Sequence, residues 1–208
     1  AIHPGYGFLA ENASFAGRCA REGIVFIGPP AGAIRALGDK TQARRIMQKS
    51  GVPVIPGMMA PSGDPGALAG EAGKLGFPVL AKAAAGGGGK GMRVVRSAGE
   101  LAEACLSASR EAKSAFGNGD IYLEKYLERP RHVEFQVLAD SHGKALHLFE
   151  RECSIQRRHQ KIVEETPSTA LTPGLREKMG RAAVAAAKAS GYVNAGTVEF
   201  LLDTDGSF

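Results

Sequence analysis

The run Gly86-Gly87-Gly88-Gly89-Lys90-Gly91 constrains this chain more than any other stretch. Five of the chain's 28 glycines fall within it. Glycine lacks a Cβ, so backbone N–H groups in such a loop approach a ligand closely, at a high cost in conformational entropy. The run formally contains G-x-G-x-x-G. A dinucleotide-binding loop, however, needs a helix after it, aimed at a pyrophosphate. Here Met92-Arg93-Val94-Val95-Arg96 follows, which reads as a strand. A phosphate loop of the Gly-Lys-Ser/Thr kind fails too, because Gly91 follows Lys90. What remains is strand, glycine loop, strand: a hairpin whose tip can fold over phosphates. Lys82 and Lys90 add positive charge to it. A surface hairpin without a ligand would leave the entropic cost of four consecutive glycines uncompensated.

The segments around this loop alternate helix and strand signals. Asn12 caps a helix that Gly23 ends, with Phe15, Ala16 and Cys19 on its inner face. Ile24-Val25-Phe26-Ile27 predicts a short buried strand, and a helix follows at 31–37. This order suits the tail of a parallel α/β unit. Asp39 caps a helix over 40–50, and a Pro-, Gly- and Met-rich loop at 53–63 marks a domain boundary. Asp64-Pro65 starts a helix to 75, and strands are expected at 77–83 and 92–96. Ser97-x-x-Glu100 is a capping box opening a helix that carries Leu101, Cys105, Ala108, Ala112 and Phe116 at helical spacing. A strand at 121–127 comes next. Val133, Phe135 and Val137 then alternate with His132, Glu134 and Gln136 in a further strand. A turn at His142-Gly143 leads to a strand over 145–150, and the polar stretch 151–165 carries no predicted element. A helix from Thr172-Pro173 to Gly191 and a strand at 196–202 complete the pattern. The expected fold class is α/β (α+β).

Composition narrows the function. Lys and Arg number 26 against 21 Asp and Glu, a net charge of +5, and the pI is near 9.2. That balance suits a polyanionic partner. Nucleic-acid binders pair basic stripes with aromatic platforms. Aromatics are only 6% here, so phosphorylated small molecules fit the charge equally well; with the family resemblance described below, no nucleic acid is expected as a partner. No apolar run approaches the ~18 residues of a membrane span, so no membrane partner is expected. Cys19, Cys105 and Cys153 are odd in number and widely spaced, which favours a reducing compartment over disulfides or zinc. The chain opens on Ala1 and stops at Phe208, and is expected to be an excerpt of a longer one.

Several smaller constellations are open to two readings. Glu124-Lys125-Tyr126-Leu127 ends a strand and can offer backbone groups to a purine, or is a surface charge pair. His132 and His159 are single histidines, structural or functional. Gln156-Arg157-Arg158-His159-Gln160-Lys161 can converge on an anion or a ribose, or is a basic loop with no ligand. Glu199 points away from Val198 and Phe200, and a carboxylate so placed can hold Mg²⁺ together with phosphates.

In order, these pieces resemble biotin carboxylase of the ATP-grasp superfamily. The stretches that carry the resemblance begin with His3-Pro4-Gly5-Tyr6-Gly7-Phe8-Leu9, Phe26-Ile27-Gly28-Pro29 and Gly38-Asp39-Lys40. The glycine run with Met92-Arg93, Glu124-Lys125-Tyr126-Leu127 and Pro130-Arg131-His132-Val133-Glu134 follow. The longest is Glu150-Arg151-Glu152-Cys153-Ser154-Ile155-Gln156-Arg157-Arg158-His159-Gln160-Lys161; Ala195-Gly196-Thr197-Val198-Glu199-Phe200 closes the set. Phe149-Glu150-Arg151-Glu152-Cys153 and Gly28-Pro29-Pro30 lean toward the methylcrotonyl-type branch.

The resemblance implies an ATP-grasp fold with a partial Rossmann-like N-terminal domain. Its divisions would be 1–37, the end of the N-terminal domain; 38–63, a connecting helix and linker; 64–126, the lid; and 127–208, the first part of the C-terminal subdomain. It implies a ligase that activates bicarbonate with ATP as carboxyphosphate and carboxylates biotin. It places Lys40, Lys82, Gly88 and Gly89 at the ATP phosphates. Glu124, Lys125, Tyr126 and Leu127 fall at adenine, and His132, Gln156 and His159 near the ribose. Lys161 falls at bicarbonate, and Glu199 at ATP and at Mg²⁺ or Mn²⁺. The implied partners are a biotin carboxyl carrier and a carboxyltransferase, as domains or subunits, within an oligomeric parent in the bacterial cytoplasm or mitochondrial matrix. The excerpt alone is expected to be inactive. Another ATP-grasp ligase and a non-catalytic nucleotide-binding module are the competing readings.

Overall fold

The computed structural model describes residues 1–84, 92–157 and 160–208, with the side chain of Phe116 also outside the description. The glycine run, with Gly88, Gly89 and Lys90, and His159 therefore lie outside the described residues. In chain order the helices are α1 (Ala13–Arg21), α2 (Ala31–Gly38), α3 (Lys40–Lys49), α4 (Pro65–Leu75), α5 (Ala98–Phe116) and α6 (Pro173–Ala189). The strands are β1 (Val79–Ala83), β2 (Arg93–Val95), β3 (Ile121–Lys125), β4 (Arg131–Ala139), β5 (Ala145–Arg157), β6 (Gln160–Glu165) and β7 (Asn194–Leu202). They form two compact units, Ala1–Val54 with Arg131–Phe208, and Ile55–Pro130.

The larger unit is built on an antiparallel sheet in the order β6-β5-β4-β7. Val133, Phe135 and Val137 of β4 alternate inward, as the sequence pattern requires. They meet Met179, Ala182, Ala183, Ala186 and Ala187 of α6 in one core with Phe200 and Leu202. The small alanines let the helix lie close to the sheet. Phe135 stacks edge-on against Phe200, with ring centroids 5.8 Å apart. α6 starts as its sequence signals require: Thr172 Oγ1 accepts from Leu175 N, and Pro173 occupies the first turn.

Two expectations fail in this unit. Residues 24–27 do not form a buried strand. One parallel bridge joins Phe26 to Ile2, and Ile24, Val25 and Ile27 are exposed. An apolar run becomes a buried strand only when neighbours cover it, and here the described residues supply one bridge. The second failure is more consequential. The polar stretch 151–165 is not irregular: β5 continues to Arg157, and β6 follows at Gln160–Glu165. Every residue of β6 is exposed, but Arg151, Glu152, Lys161 and Glu164 pair with opposite charges on neighbouring strands.

A bulge in β5 decides which residues face where. Phe135 pairs with Glu150, but Val137 pairs with His147, so β5 holds one extra residue over this interval. Phe149 sits there at φ 63°. One extra residue reverses the alternation of everything beyond it. Glu150 and Glu152 consequently share the α6 side of the sheet, and Arg151 takes the opposite side with Glu134. The two inward carboxylates are buried but fully engaged. Arg176 Nε donates to both oxygens of Glu150, at 2.8 and 3.0 Å. Glu152 accepts from Arg131 (2.7 Å), Ser154 Oγ (3.0 Å) and Ser168 Oγ (2.5 Å).

The smaller unit is an antiparallel sheet in the order β2-β1-β3, with α4 and α5 contributing to its core. Val79, Ala81, Ile121 and Leu123 pack with Leu68, Ala72, Leu101, Cys105 and Ala108. The Ser97-x-x-Glu100 box is realised in part. Ser97 Oγ donates to Glu100 Oε1, and Glu100 Oε2 accepts from Arg96 N, both at 3.0 Å. β3 stops at Lys125, and residues 57–62 bridge to its free edge at Glu124 and Ile121.

Candidate functional site

On the side of the larger sheet away from α6, β4, β5, β6 and β7 bring opposite charges together. Register places Glu134 beside Arg151 on one side and Glu199 on the other. The antiparallel pairing of β6 with β5 brings Lys161 to the same place. Lys161 Nζ donates to Glu134 Oε2, and to Glu199 Oε1 at 2.5 Å. Arg151 donates from Nε to Glu134 Oε1 at 2.7 Å, and its Nη2 lies 2.5 Å from the same oxygen. Arg151 Nη1 also donates to Gln136 Oε1 at 3.1 Å.

The partners differ in exposure. The side chain of Glu134 is 4% exposed, whereas that of Glu199 is 55% exposed. Burial alone pushes the Glu134 carboxyl up, but hydrogen bonds from Lys161 and Arg151 outweigh it and hold the group below its usual range. Burial likewise pulls the Lys161 ammonium down, and the hydrogen bonds and charges of Glu134 and Glu199 more than reverse this. Lys161 therefore stays a cation throughout the neutral range. Its fixed positive charge can attract an anion, and it does not serve as a proton acceptor. Beside them, burial pushes the Cys153 thiol up to about 11, so it is neutral and a poor nucleophile.

The sequence-predicted residues distribute as follows. Lys161 and Glu199 are in direct contact. His132 is on the same strand and side as Glu134, and its N–H donates to Ser154 Oγ at 3.0 Å. Gln156 donates its side-chain amide to Cys153 O at 2.9 Å and pairs in register with Lys161. Lys40 is exposed in the first turn of α3, whose N-cap Asp39 accepts from Thr41 N and Gln42 N at 2.9 Å each.

In the smaller unit, Lys82 and Glu124 form an ion pair. Lys82 lies opposite Tyr122 and Glu124 opposite Leu80, so the two are diagonal neighbours on one side of β1 and β3. Lys125 Nζ donates to the carbonyls of Gly76 and Phe77, at 3.0 and 3.1 Å, and so ties the end of α4 to β3. Its backbone N–H donates to Pro56 O at 2.7 Å, and that of Tyr126 to Pro78 O at 3.1 Å. Leu127 follows directly.

Glu134 and Arg151 were not singled out from the sequence as site residues. The alternation at 132–136 does place Glu134 on the outer side. The facing of Arg151 depends on the bulge, which no residue pattern announces. Among the described residues no group of three His, Cys, Asp or Glu side chains could hold a metal. Glu199 offers one exposed carboxylate, which fits an ion held mainly by phosphate oxygens and water.

Comparison with known proteins identifies the family and the fold. Residues 39–208 match the carbamoyl-phosphate synthase L chain ATP-binding domain, and residues 1–34 match the biotin carboxylase N-terminal domain. The methylcrotonoyl-CoA carboxylase alpha subunit of Dictyostelium discoideum is 59% identical over all of this chain, which spans 30% of that protein. A biotin carboxylase of Nostoc is 56% identical, again over all of this chain and 46% of its own length. Among solved structures, the biotin carboxylase-beta-gamma-ATP complex of Campylobacter jejuni superposes with a TM-score of 0.93 at 49% identity, covering 100% of this chain and 46% of that one. The 2-oxoglutarate carboxylase biotin carboxylase domain of Hydrogenobacter thermophilus, with MgADP and bicarbonate, gives 0.91 at 51% identity, covering 99% and 46%. The chain thus spans less than half of these relatives, and it belongs to the biotin carboxylase family of ATP-grasp proteins.

Proposed function

We propose that this chain supplies much of the ATP and bicarbonate machinery of a biotin carboxylase half-reaction. The observation that carries the reading is Lys161, an obligate cation held between buried Glu134 and exposed Glu199. An exposed ion pair contributes only about 0–1 kcal/mol. Glu199 therefore yields readily to a small anion such as bicarbonate, while Glu134 keeps the ammonium in place. Bicarbonate is a poor nucleophile, so orientation and fixed positive charge are the assistance it needs.

In this reading a bicarbonate oxygen attacks the γ-phosphorus of ATP, releasing ADP and forming carboxyphosphate. Carboxyphosphate yields phosphate and CO₂, which biotin N1′ captures. Lys40, Lys82, Gly88 and Gly89 bind the phosphates. Glu124 and the backbone at Lys125, Tyr126 and Leu127 bind adenine. His132, Gln156 and His159 line the ribose. Glu199 would hold Mg²⁺ or Mn²⁺, whose charge neutralises phosphate oxygens. A biotin carboxyl carrier and a carboxyltransferase are the proposed partners, in an oligomeric parent of the bacterial cytoplasm or mitochondrial matrix. No described helix is long and apolar enough to cross a membrane.

The test is ADP release by the full-length parent protein with free biotin. Release is expected to require both biotin and bicarbonate, and Lys161→Ala is expected to lower it by about 100-fold or more. Release indifferent to bicarbonate, or unchanged in Lys161→Ala, overturns the reading.

A further inference from the structure

We infer that Arg151 is a positioning residue for Lys161 and acts through Glu134. The inference deepens the proposed function and takes the identity of the anion from it. Lys161 ends a long, flexible side chain that is 29% exposed. Of its two carboxylate partners, Glu199 is mostly exposed and Glu134 is buried. The position of the ammonium therefore depends on Glu134.

Glu134 does not hold its own orientation. A glutamate side chain has three rotatable bonds, and the last is a broad torsion. What fixes the carboxylate is the division of its oxygens. Oε1 takes the guanidinium of Arg151, through Nε at 2.7 Å and Nη2 at 2.5 Å. Oε2 is left for Lys161, with the Cys153 thiol as a weak second donor at 3.8 Å. Arg151 is in turn held from several strands. Nη1 donates to Gln136 of β4 at 3.1 Å, Nη2 reaches Thr197 of β7 at 3.5 Å, and Nε lies 3.6 Å from Glu164 of β6. Backbone of β5 carries it, so one planar group ties four strands to one carboxylate. A guanidinium has donors in a fixed fork and can dictate the plane of a carboxylate. An ammonium at the same place is a point charge and cannot.

Arg151 need not touch the substrate for its loss to be felt. Without the fork, both oxygens of Glu134 become available to Lys161 and to water, and the ammonium takes several positions in place of one. Binding of a small anion then suffers, while a nucleotide held by other groups does not. A purely structural arginine behaves differently: its loss lowers stability and leaves the apparent affinity for bicarbonate intact.

The test uses the full-length parent with Arg151→Gln and Arg151→Lys, each also combined with Glu134→Gln. ATP cleavage is measured against bicarbonate and ATP concentration, with melting temperature recorded for every variant. Arg151→Gln is expected to raise KM for bicarbonate about tenfold or more while KM for ATP stays within about twofold. Arg151→Lys is expected not to rescue it, and it carries the test where Arg151→Gln does not fold. In the Glu134→Gln background the further change should be under about threefold. Equal effects on both KM values, rescue by lysine, or full additivity overturns the inference. If the wild type cleaves no ATP in response to bicarbonate, the functional reading fails. Crystal structures of the wild type and Arg151→Lys then decide the positioning alone. A turned Glu134 carboxylate and displaced Lys161 Nζ support it, and both unmoved overturn it.

Discussion

Glu134 holds two cations with one carboxylate, so its charge state governs the charge cluster on the side of the sheet away from α6. Its pKa is lowered in the folded chain, so its contribution to stability is present above the unfolded carboxylate range and is lost as pH falls through the folded value. Lys161 has a raised pKa, so its contribution is present below the unfolded lysine value and is lost only as pH rises through a still higher one. The pair therefore acts at full strength from about pH 5 to pH 10. Glu134→Gln leaves Arg151 and Lys161 side by side with only the more exposed Glu164 and Glu199 as counter-charges, and is expected to lose about 3 kcal/mol at pH 7 in urea unfolding. The gap between wild type and variant should shrink as pH drops below about 4. A gap that is constant with pH contradicts this account of the charge cluster. Of the candidate-site residues, Lys161 and Glu199 were named through the resemblance that their local stretches carry, and the structure brings them into contact. Glu134 was half-legible, through the alternation at 132–136. Arg151 was not, because its contacts lie on three other strands.

At the scale of elements, capping chemistry made most helices readable. Asn12, Asp39, Asp64 and Thr172 each accept a backbone N–H in the first turn of a helix where the sequence places one. Strands with apolar alternation were equally clear. The 151–165 stretch was not, because alternating charges resemble a solvated loop until their partners are known. The bulge at Phe149 is the decisive local feature. Phe149 is exposed and has φ 63°, a conformation that costs a residue with a Cβ about 1–2 kcal/mol. Phe149→Gly should consequently be neutral or stabilising by up to about 1 kcal/mol, although it removes an aromatic ring 5.4 Å from that of His147. Phe149→Val, with a branched Cβ, should lose about 1 kcal/mol or more. Thermal denaturation of the two variants gives the comparison. Equal melting temperatures would mean that the ring contact, not the backbone, sets the preference.

At the scale of the whole molecule, two units each carry part of the proposed machinery. Lys82 and Glu124 lie in the smaller one, and Lys40, Lys161 and Glu199 in the larger. The glycine run that most constrains the sequence falls outside the described residues, so its proposed place at the phosphates rests on the flanking strands β1 and β2 and on the family. The excess of positive charge has a coherent use in this scheme, as phosphate and bicarbonate partners rather than a nucleic-acid surface. The proposed chemistry leaves an isotopic record. If bicarbonate attacks the γ-phosphorus, the attacking oxygen stays on phosphorus when carboxyphosphate loses CO₂. Full-length parent protein turning over ATP with ¹⁸O-labelled bicarbonate should therefore release inorganic phosphate carrying one ¹⁸O atom per turnover. Phosphate released without label, despite continued ATP cleavage, would show that water and not bicarbonate is the nucleophile, and would contradict the role given to Lys161.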